Sequence, residues 1–152
     1  MKPISIRESG VQDVYRIVPL LREEDKAEAI KMGYCDARIA LRKSFKNGLL
    51  RRTYLIDGQP VAMSGMSGGM LSDIGYPYLV TTPVCDEVPL AFVRIGRDAV
   101  EEMMKYRERL EGVVDASYDR AVRFISLIGF SLSGPQPFGP KGHMFHKYFM
   151  VR

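Results

Sequence analysis

Residues 51–65 read Arg-Arg-Thr-Tyr-Leu-Ile-Asp-Gly-Gln-Pro-Val-Ala-Met-Ser-Gly. From Leu50 onward the side-chain pattern takes the period of two that is typical of strands. The dipeptide Asp57-Gly58 divides the stretch, and these residue types tolerate the positive φ angles of a type I′ turn. The stretch therefore predicts a hairpin of two antiparallel strands, residues 51–56 and 59–65.

Further strands and helices are predicted on both sides of this hairpin. Ser9 and Gln12 have the spacing of a capping box at the start of the first helix, and Pro19 predicts a kink in it. Gly33 is the expected left-handed C-cap. This mixed order predicts an α/β (α+β) fold in one domain, residues 1–152, with a mixed sheet and helices on both faces. The predicted elements are strands over 4–8, 51–56, 59–65, 78–82, 112–115, 130–132 and 145–151, and helices over 11–32, from Asp36 to Gly48, over 89–106 and from Ser117 to Gly129.

The composition is typical of a soluble globular protein. The chain has 152 residues, of which 46% are hydrophobic and 26% are charged, and both fractions are ordinary for a globular domain. No apolar run approaches the ~18 residues that span a membrane, and residues 1–20 are too polar for a signal peptide. The two cysteines are too few for a disulfide scaffold and are expected to be reduced. We therefore predict a cytoplasmic protein without a membrane partner.

Neither a specific nucleic acid nor a metal ion is predicted as a partner. The formal net charge is +4, and the basic residues are dispersed rather than arranged in the stripe that nucleic-acid binding requires. His143 and His146 have an odd spacing, which places them on opposite faces of a strand. No cluster of cysteines or carboxylates accompanies them to complete a coordination shell.

Residues 120–130 carry a family resemblance. They read Arg-Ala-Val-Arg-Phe-Ile-Ser-Leu-Ile-Gly-Phe, which resembles the penultimate helix of the GNAT (acyl-CoA N-acyltransferase) superfamily, commonly R-A-[IV]-R-F-Y-E-K-L-G-F. The turn at residues 57–62 is similar to the D-G-x-P-V-G turn of the same proteins. The resemblance extends over nearly the whole chain. It implies a mostly antiparallel mixed sheet and transfer of an acyl group, such as acetyl, from acyl-CoA to an amine.

A narrower resemblance is to acetyltransferase-like proteins of tailed bacteriophages, which are found among virion genes. Residues 21–28, 60–63 and 92–94 carry it, together with the helix that ends at Gly129-Phe130. It implies a location in the host cytoplasm or the virion, with other virion proteins as partners.

The superfamily resemblance also implies a donor site. Backbone groups of Val80, Thr81 and Thr82 would hold the pantetheine arm of acetyl-CoA, and Arg94 and Arg97 would meet its phosphates. GNAT enzymes cradle the diphosphate with [QR]-x-x-G-x-[GA] at a helix N-terminus, where backbone N–H groups face the anion. In the matching residues 94–99, Arg97 stands at the required glycine.

Two acidic residues also disfavour the standard cradle. Asp86 and Glu87 lie close to the expected start of the helix and would repel a diphosphate. We therefore predict weak or no binding of CoA and acetyl-CoA.

The catalytic positions that the resemblance implies are altered as well. The tyrosine that protonates the departing thiolate in many GNAT enzymes matches Ile125, which has no proton to donate. Tyr118, which matches a common asparagine of the superfamily, is the alternative acid. Asp115, at the end of a predicted strand, is the candidate base. Its other interpretation is a cap for the helix that starts near Ser117.

Three charged residues of the first helical region are candidates for binding the acceptor substrate. Arg22, Asp25 and Glu28 are spaced by three and therefore share a helix face. The first helices border the acceptor groove in GNAT folds, so the resemblance implies that this trio lines a pocket. The alternative is a solvated face with intrahelical ion pairs.

Two functions remain open on the sequence alone. The first is a GNAT-like N-acyltransferase that acts on an unidentified amine. The alternative is a non-catalytic phage virion or assembly protein that uses the fold as a scaffold, because folds commonly host more than one function.

Overall fold

The computed structural model describes residues 2–69 and 71–152, which form eight strands and five α-helices. Short 3₁₀ turns over Val18–Leu20 and Pro83–Glu87 precede the second and fourth helices. The strands are β1 (Ser5–Glu8), β2 (Gly48–Ile56), β3 (Gln59–Ser67), β4 (Ile74–Thr81), β5 (Arg109–Asp115), β6 (Ser131–Leu132), β7 (Gln136–Phe138) and β8 (His143–Val151). The helices are α1 (Val11–Ile17), α2 (Glu23–Lys31), α3 (Ala37–Lys46), α4 (Pro89–Met103) and α5 (Asp119–Leu127).

The eight strands form one sheet in the order β1-β2-β3-β4-β5-β8-β6, and β7 also pairs with β8. The pairing of β4 with β5 is parallel, whereas the others are antiparallel. The predicted mixed and mostly antiparallel sheet is therefore confirmed. The parallel pair joins the N-terminal half of the sheet to the C-terminal half.

Helices cover both faces of the sheet, as predicted. Met63 and Ala62 are neighbours in β3, so their side chains point to opposite faces. Met63 belongs to a buried cluster with Val14 of α1 and Leu41 of α3. Ala62 belongs to a second cluster with Phe92 of α4. One face is therefore covered by α1–α3 and the other by α4 and α5.

The hairpin predicted from residues 51–65 is confirmed. Tyr54 of β2 pairs with Ala62 of β3, and the turn residues Asp57 and Gly58 have φ angles of 51° and 74°. Two consecutive positive φ angles are what a type I′ turn requires. The break at Pro19 also forms, because α1 ends at Ile17 and a 3₁₀ turn follows it.

The predicted capping box of Ser9 and Gln12 is wrong. Gly10 is the N-cap of α1, and its N–H donates to the carboxylate of Asp13 at 2.9 Å. The Thr53 hydroxyl donates to the same carboxylate at 3.0 Å. The Asp13 carboxylate therefore caps the first turn of α1 through Gly10 and also joins this helix to Thr53 of β2.

Two strand predictions are incomplete. β4 begins at Ile74 rather than at Tyr78 and so contains Pro77. β7 lies between the last two predicted strands, where no strand was expected. In the two described ranges, no helix combines the length and the apolar character that crossing a bilayer requires.

Candidate active site

The parallel strands β4 and β5 separate shortly after they meet. They pair only at Ile74 with Arg109 and at Gly75 with Leu110. From there β4 continues to Thr81 and β5 to Asp115 without further pairing between them. The result is a wedge-shaped gap between the two strands, which we call the split.

A cavity of about 540 Å³ fills the split. Its walls include Asp25 and Glu28 of α2 on one side of the sheet. On the other side they include Phe92 of α4 and Phe124 and Ile125 of α5. Because side chains from both helical layers line one cavity, the split passes through the sheet.

Along the edge of β4, the backbone groups of every second residue face the split. The N–H and C=O of one strand residue point to the same side, and successive residues alternate. The carbonyl of Pro77 accepts a hydrogen bond at 3.3 Å from the hydroxyl of Tyr148, which reaches it across β5. Leu79 and Thr81 are in phase with Pro77, so their backbone groups also face the split. The same geometry explains the proline, whose missing N–H would face the split rather than β3.

Val80 and Thr82, two of the residues predicted to hold a pantetheine arm, have the opposite phase. The N–H of Thr82 donates to the carbonyl of Val61 in β3 at 2.9 Å. The carbonyl of Thr82 accepts from the guanidinium of Arg22 at 3.2 Å. Among the three predicted residues, Thr81 is therefore the one whose backbone groups face the split.

Tyr148 forms the floor at the narrow end of the split. It pairs with Gly112 of β5, and its ring lies over that glycine, because a Cβ at Gly112 would collide with the Tyr148 hydroxyl. Burial raises the pKa of Tyr148, so the hydroxyl stays protonated. A group that enters the split from its wide end would stop at this hydroxyl.

The carboxyl groups of Asp25 and Glu28 lie in the wall contributed by α2. Burial raises the pKa of Glu28 to about 7, and the negative charges of Asp25 and Asp115 contribute to the increase. The N–H of Asp115, which donates to the Glu28 carboxylate at 3.0 Å, acts in the opposite direction. Burial also raises the pKa of Asp25 to about 6, against the opposing effects of the Tyr118 hydroxyl and Arg22. The Oδ2 atom of Asp25 is buried without a hydrogen-bond partner among the described residues. Both groups can therefore exchange protons near neutral pH.

Arg22, the third member of the predicted trio, makes its contacts elsewhere. Its side chain is buried and forms a bidentate ion pair with Asp86, at 2.7 and 3.1 Å. Its Nε donates to the hydroxyl of Thr81 at 3.0 Å. The trio is thus divided: Asp25 and Glu28 line the cavity, while Arg22 ties α2 to the end of β4.

Asp115, the predicted base, is held as a charged structural group. The ammonium of Lys31 donates to its Oδ2 at 2.6 Å, and the N–H and hydroxyl of Ser117 donate to its Oδ1 at 2.9 and 2.8 Å. Burial works against the charged form, but the Lys31 and Ser117 donors outweigh it and lower the pKa of Asp115. This geometry is that of the turn cap between β5 and α5, so Asp115 is poorly suited to take up a proton near neutral pH.

Tyr118 lies beside Asp25 in the cavity wall. It is the N-cap residue of α5, yet its side chain makes no capping hydrogen bond. Burial and the neighbouring Asp25 carboxylate raise the pKa of Tyr118, so its hydroxyl is a hydrogen-bond donor rather than a ready acid. Ile125, which the resemblance matched to a superfamily tyrosine, contributes an apolar surface to the same cavity.

The N-terminal end of α4 carries a carboxylate. Asp86, in the 3₁₀ turn before α4, accepts from Arg22 of α2 and from Arg120 of α5. The hydrogen bond from Arg22 and the charges of both arginines lower the pKa of Asp86, so it is ionised at neutral pH. Pro89 occupies the first helical position and has no N–H to offer an anion.

Arg94 and Arg97, predicted to meet the phosphates, lie more than one turn inside α4. The guanidinium of Arg97 donates to the carbonyl of Leu127 at 3.0 and 3.2 Å. That contact joins α4 to the C-terminal end of α5. Neither arginine is at the N-terminus of α4, where a diphosphate would lie.

Other chemically interesting residues have structural roles. The thiol of Cys85 donates to the carbonyl of Val61 at 3.2 Å, and burial raises its pKa to about 11. His146 is bonded through Nδ1 to the carbonyl of Ser133 at 2.8 Å. Within residues 2–69 and 71–152, no three His, Cys, Asp or Glu side chains are grouped as a metal site.

The sequence predictions missed two residues of the site, Lys31 and Tyr148. Lys31 follows Glu28 by three positions on α2, so its place on the same helix face could have been found from spacing. Tyr148 gave no such signal, because its role depends on Gly112 lying beside it in the neighbouring strand. Strand order therefore had to be known first.

No protein-family model and no curated protein matches the sequence. Solved structures do match over the whole fold. They include an acetyltransferase of the GNAT family from Streptococcus pneumoniae, with 17% identity, coverage of 99% of this chain and 100% of that chain, and a TM-score of 0.66. An N-acetyltransferase from Staphylococcus aureus Mu50 has 15% identity, 98% coverage of each chain and a TM-score of 0.72. The structure of yncA from Salmonella typhimurium with its cofactor acetyl-CoA has 9% identity, coverage of 97% and 93%, and a TM-score of 0.62. The predicted GNAT fold is confirmed.

Acetyl-CoA, the donor that the resemblance implies, fits this chain only in part. The split has room for a narrow arm, and Leu79 and Thr81 offer backbone groups along it. The N–H groups at the N-terminus of α4 would receive a diphosphate, but the turn that leads into this helix carries the carboxylate of Asp86, which is paired with Arg22 and Arg120. The residues present fit the acyl-bearing arm and do not fit the diphosphate.

Proposed function

We propose that the protein is an N-acyltransferase that moves an acyl group from a thioester to an amine. The observation that carries the proposal is the split itself, a cavity through the sheet with two carboxyl groups of raised pKa on one side. The thioester arm lies along β4, where the backbone groups of Leu79 and Thr81 hydrogen-bond to its amides. The amine approaches from the side of α2. The GNAT fold supports the proposal at the level of architecture.

Glu28 is the proposed base of this reaction. An amine arrives as an ammonium ion and must lose a proton before its nitrogen can attack. A carboxylate with a pKa of about 7 can accept that proton near neutral pH. Asp25 supplies a second negative charge in the same wall, which favours binding of the cation. The carboxylate of Asp115 is committed to Lys31 and Ser117 and is not assigned this role.

The atoms of the transfer balance without a protein acid. The free amine nitrogen forms a bond to the carbonyl carbon, and the carbon–sulfur bond breaks to release a thiolate. A thiol has an ordinary pKa of about 8.5, so a thiolate can leave, and it takes up, directly or through water, the second proton that the nitrogen loses as the amide forms. Tyr118 lies beside Asp25, and its hydroxyl favours the charged form of that carboxyl; it is a positioning residue in this scheme.

The test is acyl transfer by the purified protein to a panel of primary amines, measured across pH. For the wild type, the rate should rise with pH around an apparent pKa of about 7, the pKa of Glu28. Glu28→Gln keeps the shape of the side chain and should lower kcat by about 10²–10⁴-fold, because general-base catalysis is lost. Glu23→Gln, on the exposed side of the same helix, is the matched control and should leave the rate unchanged. Equal rates for wild type and Glu28→Gln would disprove the role of Glu28.

A second candidate function is non-catalytic. The observation that favours it is the Arg22–Asp86–Arg120 cluster at the N-terminus of α4, where a CoA-dependent enzyme needs free N–H groups. In that case the fold serves as a scaffold, and the phage resemblance suggests virion proteins as its partners. This alternative predicts no binding of any thioester in the split and no transfer to any amine in the panel.

A further inference from the structure

An internal ion cluster lies at the 3₁₀ turn that leads into α4. Asp86 receives two hydrogen bonds from Arg22, at 2.7 and 3.1 Å, and another from Arg120. Arg22 is buried, and its remaining contacts are to the Thr81 hydroxyl and the Thr82 carbonyl. The guanidinium groups of Arg22 and Arg120 are therefore already engaged by a carboxylate of the same chain.

This cluster opposes a ligand with a diphosphate. Asp86 is ionised at neutral pH, and Glu87 follows it in the same 3₁₀ turn. Two like charges that come within a few ångströms of each other repel, most strongly in a partly buried site. A diphosphate at this place would have to displace Asp86 from Arg22 before it could gain an ion pair with Arg22. It would find no donor at Pro89.

The split itself carries no such obstacle. Its wall on the α4 and α5 side is apolar, with Phe92, Phe124 and Ile125. The backbone groups of Leu79 and Thr81 face the split, as the phase of Pro77 shows, and the Thr81 backbone also interacts with the Asp25 carboxyl. A neutral amide-containing arm is the kind of ligand that suits such walls. The split therefore suits an amide-containing arm, whereas the turn with Asp86, where a nucleotide diphosphate would lie, does not suit an anion.

We propose that the acyl donor of this protein is a thioester on a pantetheine-type arm without the nucleotide diphosphate. The inference rests on the proposed acyl transfer and narrows its donor class. Such an arm could be a free small thioester or the prosthetic arm of a carrier protein. Both present the same thioester and amide groups to the split. The similar structure of yncA from Salmonella typhimurium contains acetyl-CoA; in this chain we expect Asp86 to make the nucleotide part of such a donor unfavourable.

The experiment compares donors in binding and in transfer. Acetyl-CoA, S-acetyl-pantetheine and an acetylated carrier-protein arm are titrated by calorimetry and assayed with the same amine. The wild type should bind S-acetyl-pantetheine at least as tightly as acetyl-CoA, and kcat/KM for the two should agree within about threefold. A further gain with the carrier protein would identify that source, whereas equal values would identify the free thioester.

Asp86→Asn should reverse this preference. It frees Arg22 and Arg120 to meet phosphate, so kcat/KM for acetyl-CoA should rise by about tenfold or more, while the value for S-acetyl-pantetheine changes by less than about threefold. Asp98→Asn removes one acidic charge from the exposed side of α4 and is the control, with no change expected. Thermal unfolding checks that each variant is folded, and the wild-type donor ratio tests the proposal without any variant.

The outcomes separate this inference from the proposed function. A wild type that prefers acetyl-CoA by about tenfold or more would overturn the inference and leave acyl transfer intact. An unchanged donor ratio in folded Asp86→Asn would also overturn it. Binding of S-acetyl-pantetheine without transfer to any amine would overturn the proposed function and leave the donor class standing. Failure of every donor to bind would overturn both.

Discussion

The burial of Glu28 favours its role as a base but lowers the stability of the fold. Its burial beside the end of β5 raises its pKa to about 7, which is the property that a general base needs. The same burial makes the ionised form costly, so the folded state is less stable when Glu28 is charged. A buried group with such a cost is more easily explained by chemistry than by packing.

The pH dependence of this cost has a definite sign. The folded-state pKa of Glu28 lies above its ordinary value of 4.5, so the folded protein binds more protons than the unfolded chain between those two values. Stability therefore falls as pH rises from about 4.5 to about 7, and the loss is complete above that range. Glu28→Gln removes it and should raise the free energy of unfolding near pH 8 by up to about 3 kcal/mol, with no gain near pH 4.

Denaturant unfolding at the two pH values, with Glu23→Gln as the control, measures the difference. A Glu28→Gln variant that is less stable than wild type near pH 8 would show that the carboxylate contributes a favourable interaction there. The raised pKa of Glu28 would then be wrong, and so would its assignment as a base.

At the scale of residues, the sequence predicts neighbours on one helix but not contacts between distant segments. The spacing of Asp25 and Glu28 identified a shared helix face, and both side chains do line the cavity. Spacing could not show that Arg22, on the same face, reaches Asp86 instead, because that contact joins residues far apart in the chain. Nor could it choose between the two interpretations of Asp115, since the choice depends on Lys31 arriving from α2.

At the level of elements, the split forms because β4 and β5 pair over only a short part of their length. β4 and β5 share only two residue pairs, and the next residues of β4 include Pro77, which cannot donate to a neighbouring strand. The hairpin of β2 and β3 was predictable because its turn chemistry is local. The extent of β4 and the presence of β7 were not, because both depend on pairing with strands distant in sequence.

The floor of the split gives a prediction about β5. Gly112→Ala should lower the free energy of unfolding by about 1–3 kcal/mol, because the added methyl group collides with the Tyr148 ring. Gly134→Ala is a matched control, since a Cβ there meets nothing within 4 Å, and it should be close to neutral. Thermal unfolding of the two variants measures the contrast. If both substitutions were equally mild, the Tyr148 ring could not be packed against Gly112 as described.

At the scale of the whole molecule, the two faces of the sheet contribute different kinds of side chain to the split. The face with α1–α3 supplies the carboxyl groups of Asp25 and Glu28, which suit a cationic amine. The face with α4 and α5 supplies apolar walls, which suit the arm of a thioester. The order of elements predicted this division into two helical layers. It did not predict the ion cluster of Asp86, although the acidic residues before α4 had indicated a poor diphosphate site.

The most direct test of the central claim is a crystal structure of the protein with S-acetyl-pantetheine. We predict that the arm lies in the split, with its amides hydrogen-bonded to the backbone of Leu79 and Thr81. The acetyl group should point toward Tyr148 and be open to Glu28 from the side of α2. An arm bound elsewhere, or an empty split at saturating ligand, would contradict the proposal that this cavity is the acyl-transfer site.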